Sequence, residues 1–463
     1  MPTTSAAPSA SHAVSFREAL HVWTRIGLLS FGGPAGQIAL MHRVLVEEKR
    51  WISEERFLHA LNYCMLLPGP EAMQLATYVG WLLHGTRGGL VAGMLFVLPG
   101  ALAILALSLL YAAGQDVAAV EAFFFGMKAA VLAVVVEAVV RIGKRVLKNR
   151  LMVAIAAAAF VAIFFFEVPF PWLVLVSGLL GLIGGGLWPQ LFAVVRGRTA
   201  SGATEGPPPV IDSVLERGVP DHVRASLGRS ARVLATWLAV WFAPLALLAL
   251  VLGGESVFVR MGLFFSRAAV VTFGGAYAVL GYVAQYAVES AHWLQPGEML
   301  DGLSLAETTP GPLILVLEFV GCLAGHRDPG PPGPWAGVVL GACVTVWVTF
   351  VPCFLWIFLG APYVERLRGN RRLDAALSTI TASVVGVVLN LAVWFSLHVL
   401  FGTVVERTWH GVRLHVPELR TLDPGALTLS ALAFHALFGL RLGMVRTLLG
   451  CAALGCLWKL VLV

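Results

Sequence analysis

Two short strings, Phe31-Gly32-Gly33-Pro34 and Pro68-Gly69-Pro70-Glu71, set glycine directly before proline where a helix reads as starting. Proline at the first helical position after glycine is a start signal. A helix start carries unpaired N–H groups and about half a positive charge, which suits an anion. The stretches flanking the two breaks, 16–30, 34–48, 53–67 and 70–83, run 14 to 15 residues each. That is roughly 22 Å of helix, short of a hydrocarbon core about 30 Å thick. They read as two re-entrant hairpins with tips at Phe31-Gly32-Gly33 and Pro68-Gly69-Pro70; the alternative is glycine and proline kinks in ordinary helices. Backbone that leaves the helix at membrane depth is tolerated only where protein or a watery cavity covers it, so the tips mark a pathway. Gln37, Glu71 and Gln74 follow the tips. Glu71 reads either as a helix-start cap or, beside an anion path, as the carrier of a coupling proton.

Other residues offer charge at unusual depth. Lys128 lies at least ten residues from either end of the apolar stretch 118–140, and a lysine near the bilayer centre costs roughly 2.5 to 3.5 kcal/mol on insertion scales. It should face protein or water, or else snorkel or pair with an acid. Glu137 and Arg141, four apart, read as a surface pair. Arg25 and Arg267 stand six residues before Phe31 and Phe273 and suit vestibules; Glu18 and His21 share the stripe of Arg25, so an interfacial amphipathic helix is the competing account. The twelve histidines form no HExxH, and GxSxG and GxxxxGK[ST] are absent. The six cysteines lie in apolar stretches without a CxxC pair. No metal site, cofactor or enzyme chemistry is implied.

The elements that must hold these residues are membrane helices. The chain of 463 residues is 58% hydrophobic and only 13% charged, against about 25% charged in soluble domains, and its mean hydropathy is +0.83. That excludes secreted enzymes and nucleic-acid binders, and the net charge of +6 reports loop orientation rather than a nucleic-acid footprint. Candidate spans lie near 88–113, 118–140, 151–166, 170–188, 231–252, 335–360, 374–398, 426–440 and 444–462. Residues 1–15 read as a disordered tail, and 196–230, rich in Gly, Pro, Ser and charge, as a cytoplasmic linker between two halves, 16–195 and 257–463.

The halves are related by duplication. A shift of 242 superposes Phe31-Gly32-Gly33 on Phe273-Gly274-Gly275, Val46-Glu47 on Val288-Glu289, Trp51 on Trp293, Leu58 on Leu300, Leu61 on Leu303 and Pro68-Gly69-Pro70 on Pro310-Gly311-Pro312, eleven identities in the forty positions from 31 to 70. Beyond the insertion HRDPGPPGPW (326–335) the shift becomes 253, pairing Pro99 with Pro352 and Lys128 with Thr381. The run 141–150 holds five basic residues and no acid, while its counterpart near 398–425 mixes signs; the 114–117 loop has no cation, while 361–373 has four arginines. The positive-inside rule therefore predicts opposite insertion of the halves, with helix 231–252 as the extra crossing. The fold class expected is an all-α polytopic membrane protein: two homologous halves in inverted topology, each with broken or re-entrant helices plus about four spanning helices, and one linking helix. Inverted repeats recur in secondary transporters, with substrate near the midplane where the repeats meet.

The segment FGGPAGQIALMHRVLVEEKRWISEERFLHALNYCMLLPGPEAMQLATYVGWLLHGTRGG, and FGGAYAVLGYVAQYAVE with TTPGPLILVLEFVG in the second half, resemble the signature region of the chromate transporter family in its long, two-domain form. The resemblance implies chromate export across the bacterial inner membrane drawing on the proton motive force, with a cytoplasmic N-terminus. Alternatives are transport of sulfate or another oxyanion, or a passive anion channel. Partners implied are chromate, competing sulfate, protons, the lipid bilayer and, as an option, a second copy in a homodimer. For such a tetrahedral oxyanion the candidate contacts are Gly32, Gly33, Gln37, Pro68, Gly69, Glu71, Gln74, Gly274, Gly275, Thr308, Thr309 and Gly311, with Lys128 as the cation and Thr381 as a neutral donor. Second-half positions matching Gln37, Glu71 and Gln74 are Val279, Leu313 and Val316, which weights contact toward the first half.

Overall fold

A computed structural model describes residues 14–31, 33–114, 117–192, 209–217, 223, 226–273, 276–295, 297–363, 371–409 and 412–462. The tail 1–13, Gly32, Gly274, Gly275 and most of the linker lie outside the described residues. The chain is a membrane protein built almost wholly of helices. Among the described residues six helices are long and apolar enough to span: Glu71–Ala113, Ala118–Val146, Phe170–Leu187, Leu227–Leu252, Pro334–Tyr363 and Arg372–Leu400.

The first half opens with α1 (Phe16–Leu29), whose start is capped by the Ser15 hydroxyl on the Glu18 N–H. After the first break come α2 (Gly33–His42) and then α3 (Glu54–Cys64), capped by Ser53. Both breaks are full interruptions of the helix. Gly33 has φ +67° and Gly69 φ +118°, backbone that side chains resist. The long helix α4 (Glu71–Ala113) is itself broken where Gly85 takes φ 62°, so 71–83 and 86–113 form two arms. A Cβ on Gly80 would meet Ala92 Cβ at 2.6 Å, so small residues let the arms lie back to back. Spanning helices α5 (Ala118–Val146) and α7 (Phe170–Leu187), with the shorter apolar α6 (Arg150–Phe166) between them, complete the half.

A short linker helix, α8 (Val210–Arg217), docks on the first half: Ile211 N–H donates to Trp51 O at 2.9 Å, and Asp212 takes the Ser53 hydroxyl at 2.9 Å and Arg56 Nε at 3.0 Å. The connecting span α9 (Leu227–Leu252) follows. The second half then repeats the plan with α10 (Val257–Val271), α11 (Ala276–Gln285), α12 (Glu298–Thr308), α13 (Val316–Arg327), α14 (Pro334–Gly360) and α15 (Arg371–Leu400).

The all-α expectation needs one correction. Where the first half has α6, the second has an antiparallel hairpin, β1 (Val404–Trp409) with β2 (Val412–Pro417), in register Val404 to Pro417. Alternating Val, Thr and Leu with polar residues there gives strand periodicity, and 398–425 is too charged to span. The last apolar stretches form the shorter α16 (Pro424–Phe434) and α17 (Met444–Leu457), each closing in a wide π-type turn.

The halves are stitched at their tips. Gly69 N–H donates to Thr272 O at 2.7 Å, and Gly311 N–H to Ser30 O at 2.8 Å. The Gln37 amide reaches Gly311 O at 2.5 Å, and the Gln74 amide reaches Pro68 O at 2.7 Å. Both side chains are buried.

Candidate functional site

A cavity of ≈ 140 Å³ lies against the first-half tips. A water needs at least about 10–15 Å³ on that measure, so the space admits a tetrahedral oxyanion with water. Its wall is built from both halves. Pro34 and Ala35 come from the start of α2, Gly69 and Glu71 from the second tip and the start of α4, Arg141 and Arg145 from α5, Tyr277 from α11 and Thr381 from α15. Arginines four apart fall on one helix face, which is why both reach one cavity. Pro70, at the cap position of α4, puts no side-chain acceptor on its N–H groups, and the Glu71 carboxylate stands at the same first turn. At the other tip, a side chain on Gly33 would meet no atom within 4 Å.

Of the two cations, Arg141 pairs loosely with Glu137 at 3.7 Å, and Arg145 Nη2 lies 3.4 Å from the Met65 sulfur. Two guanidiniums that keep donors free, beside an uncapped helix start, make an oxyanion receptor: planar N–H forks match oxygen pairs and the helix adds positive potential. Among the described residues, the second half places no such pair at the equivalent positions. Its positions equivalent to Glu137 and Arg141 are Asn390 and Trp394, which line a far smaller cavity of ≈ 20 Å³. The cation in that cavity, Arg413 of β2, is already held by Glu167, Glu289 and Glu406.

Sequence-derived candidates fall into three groups. Gly69, Glu71 and Thr381 line the main cavity, and Pro68 supplies the carbonyl that holds Gln74. Gln37, Gln74, Thr308 and Thr309 turn their donors onto backbone carbonyls; Thr308 donates to Ser304 O at 3.1 Å and Thr309 to Ala306 O at 3.4 Å. Gly311 spends its N–H on Ser30. Lys128 stands apart, with Nζ 3.1 Å from Asp301, a carboxylate that also accepts the Tyr111 hydroxyl at 2.9 Å. Beside it Arg327 forks onto Glu298 at 2.6 and 2.8 Å. Arg25 pairs with Glu48 at 3.0 Å on an exposed surface, and Arg267 is exposed; neither lines either of these two cavities.

Reading the sequence alone passes over Arg141 and Arg145 as binding groups, because their run serves as the topology signal. It also passes over Asp301, Tyr277 and Glu307, although acids inside an apolar stretch are the signal that finds them. Tyr277 donates its hydroxyl to Glu307, a carboxylate only 2% exposed. Among the described residues no group of three His, Cys, Asp or Glu is placed to hold a metal.

Comparison with known proteins agrees in kind. The family profile described as chromate transporter matches residues 17–182 and 259–456. The chain is 35% identical over 382 residues to a chromate transport protein of Pseudomonas aeruginosa, covering 81% of this chain and 80% of that one. It is 28% identical over 390 residues to a chromate transport protein of Cupriavidus metallidurans, covering 84% of each. A probable chromate transport protein of Synechococcus elongatus is 26% identical over 385 residues, 82% of this chain and 84% of its own. No solved structure matches the chain.

Proposed function

Because the chain belongs to the chromate transporter family, we propose that it exports chromate from the cytoplasm by a secondary-active, alternating-access mechanism drawing on the proton motive force. The carrying observation is the cavity, which meets parts of both halves and brings Arg141, Arg145, Thr381 and the uncapped start of α4 to one place. Oxyanion oxygens would bridge the two guanidiniums and the first-turn N–H groups, with Gly33 and Gly69 leaving room for close approach. Charge of this kind held on flexible side chains at a helix end binds without locking, and release can follow.

Direction is supported by the same arginines. They begin the basic run 141–150, which the positive-inside rule assigns to the cytoplasm, so the cavity is reached from that side. A cytoplasmic N-terminus, opposite insertion of the halves and residence in the bacterial inner membrane accompany this reading. Exchange of the tip hydrogen bonds between the halves supports a two-fold relation of the repeats. On this reading Lys128 serves the fold near α12 through Asp301 rather than contacting the anion.

The test is chromate uptake into energised everted membrane vesicles. Uptake that an uncoupler abolishes and excess sulfate competes with only weakly fits a driven chromate exporter. Uptake indifferent to the uncoupler, without counterflow, would make the protein a passive channel. Equal competition by sulfate would broaden the substrate to tetrahedral dianions.

A further inference from the structure

The main cavity has a buried acid behind one wall. Glu307 sits at the inner end of α12, 2% exposed. One carboxylate oxygen, Oε1, accepts the hydroxyl of Tyr277, itself a cavity-lining residue; the other, Oε2, is buried without a hydrogen-bond partner. Charged groups acting on it are Arg141 and Glu137, both from α5. Glu71 and Arg145 line the same cavity. A buried carboxylate with an empty oxygen is expensive when ionised and unpaired. Tyr277 supplies one hydrogen bond, and Arg141 divides its charge between Glu137, Glu307 and whatever anion the cavity holds.

We propose that Glu307 is a proton-binding site linked to the oxyanion site, so that one proton and one oxyanion are taken up together. This rests on the transport reading above. A dianion beside Arg141 and an ionised Glu307 repel each other and compete for one guanidinium; a proton arriving from the cavity on Oε2 removes both penalties. Linkage is reciprocal, so each ligand raises the affinity for the other. Nothing else changes covalently: the O–H bond formed on Oε2 is broken again when the proton leaves with its anion. A dianion accompanied by a proton crosses as one net negative charge, which an inside-negative membrane potential still expels.

The test measures chromate uptake into everted vesicles against pH on the cytoplasmic face, for the wild type and Glu307→Gln. Protonation of chromate itself is common to both proteins, so the difference isolates Glu307. The wild-type KM should rise with pH by up to about tenfold per unit for one linked proton, and Glu307→Gln, a fixed mimic of the protonated acid, should lose that added dependence while retaining counterflow. Should Glu307→Gln fail to fold, Tyr277→Phe should displace the wild-type profile along the pH axis, read as a shift in the pH dependence of KM whatever its effect on the maximal rate. Wild-type vesicles that accumulate no chromate would overturn the transport reading and this proposal together. Chromate accumulation with a pH profile unchanged in Glu307→Gln, or in Tyr277→Phe where that is the folded variant, would overturn the proton site alone.

Discussion

Gly69 gives its backbone N–H to the carbonyl of Thr272, and the repeat-related pair Gly311 and Ser30 makes the same bond. Adding 242 to Ser30 and to Gly69 yields Thr272 and Gly311, so the duplication turns one bond into the other. Each tip is thereby fixed by the opposite half. The two N–H groups most obviously placed for an anion are spent on protein, and the free donors sit one step further on, at the start of α4 and on α5.

Gly69→Ala and Gly311→Ala should therefore lower thermal stability in detergent to similar extents. Gly69 has φ +118° and Gly311 φ +95°, where a side chain costs about 1–3 kcal/mol. At Gly69 the added Cβ would also stand 2.8 Å from the Cys353 sulfur, and at Gly311 3.1 Å from a Leu315 methyl. Gly33→Ala meets open space but still carries the backbone strain of φ +67°, so it should lose less stability than Gly69→Ala, which adds a clash, while slowing transport. A stable Gly311→Ala beside an unstable Gly69→Ala would break the paired arrangement.

Arg141→Gln should cut the initial rate of chromate uptake by about tenfold or more at matched protein level, since a charge-assisted hydrogen bond is worth about 1.5–3 kcal/mol. Arg25→Gln should leave it within about twofold, because an exposed ion pair contributes about 0–1 kcal/mol and Arg25, paired with Glu48, does not line the cavity. Equal defects would point to loss of net positive charge rather than a located site.

Much of this layout is legible in the chain. Glycine and proline at Gly33, Gly69 and Gly311 mark the true breaks because their backbone demands are local, and the Trp51 and Trp293 match betrays the duplication. What escapes is partnership over distance. Lys128 announces a buried cation, yet nothing within several residues shows that Asp301, 173 positions later, waits for it. Arg141 and Arg145 escape for another reason: a basic run at a membrane edge is so well explained by topology that its inward face goes unread. The 404–417 hairpin is hidden because its strands are short and mixed in charge.

Lys128→Met should lose folded protein and transport in proportion, rather than transport alone. Removing Lys128 leaves Asp301, 1% exposed, as an uncompensated charge held by Tyr111 alone. Breaking such a buried pair costs about 3–5 kcal/mol, reduced here because the Lys128 side chain is partly open to solvent. The double variant Lys128→Met with Asp301→Asn should recover much of the lost protein, giving a coupling energy of about 1 kcal/mol or more in a double-mutant cycle. A well-folded but transport-dead Lys128→Met would instead return the lysine to the anion path.

Orientation decides whether the arginine cavity can load chromate for export, and two loops decide orientation. The 114–117 turn between α4 and α5 has no cation, while 361–373 between α14 and α15 carries four arginines. Lys and Arg retained on the cytoplasmic side set the topology of short loops. In a chain whose six native cysteines are replaced, Val117→Cys should react with a membrane-impermeant maleimide added to intact cells, since Val117 is exposed at the start of α5. Arg368→Cys should react only after the membrane is opened. The two loops join repeat-equivalent helices, so labelling from opposite sides means that the repeats insert in opposite directions. Labelling from one side would make the repeats parallel. Were Val117→Cys reached only from the cytoplasm, α5 would run the other way, Arg141 and Arg145 would face the outside, and the same cavity would serve uptake in place of export.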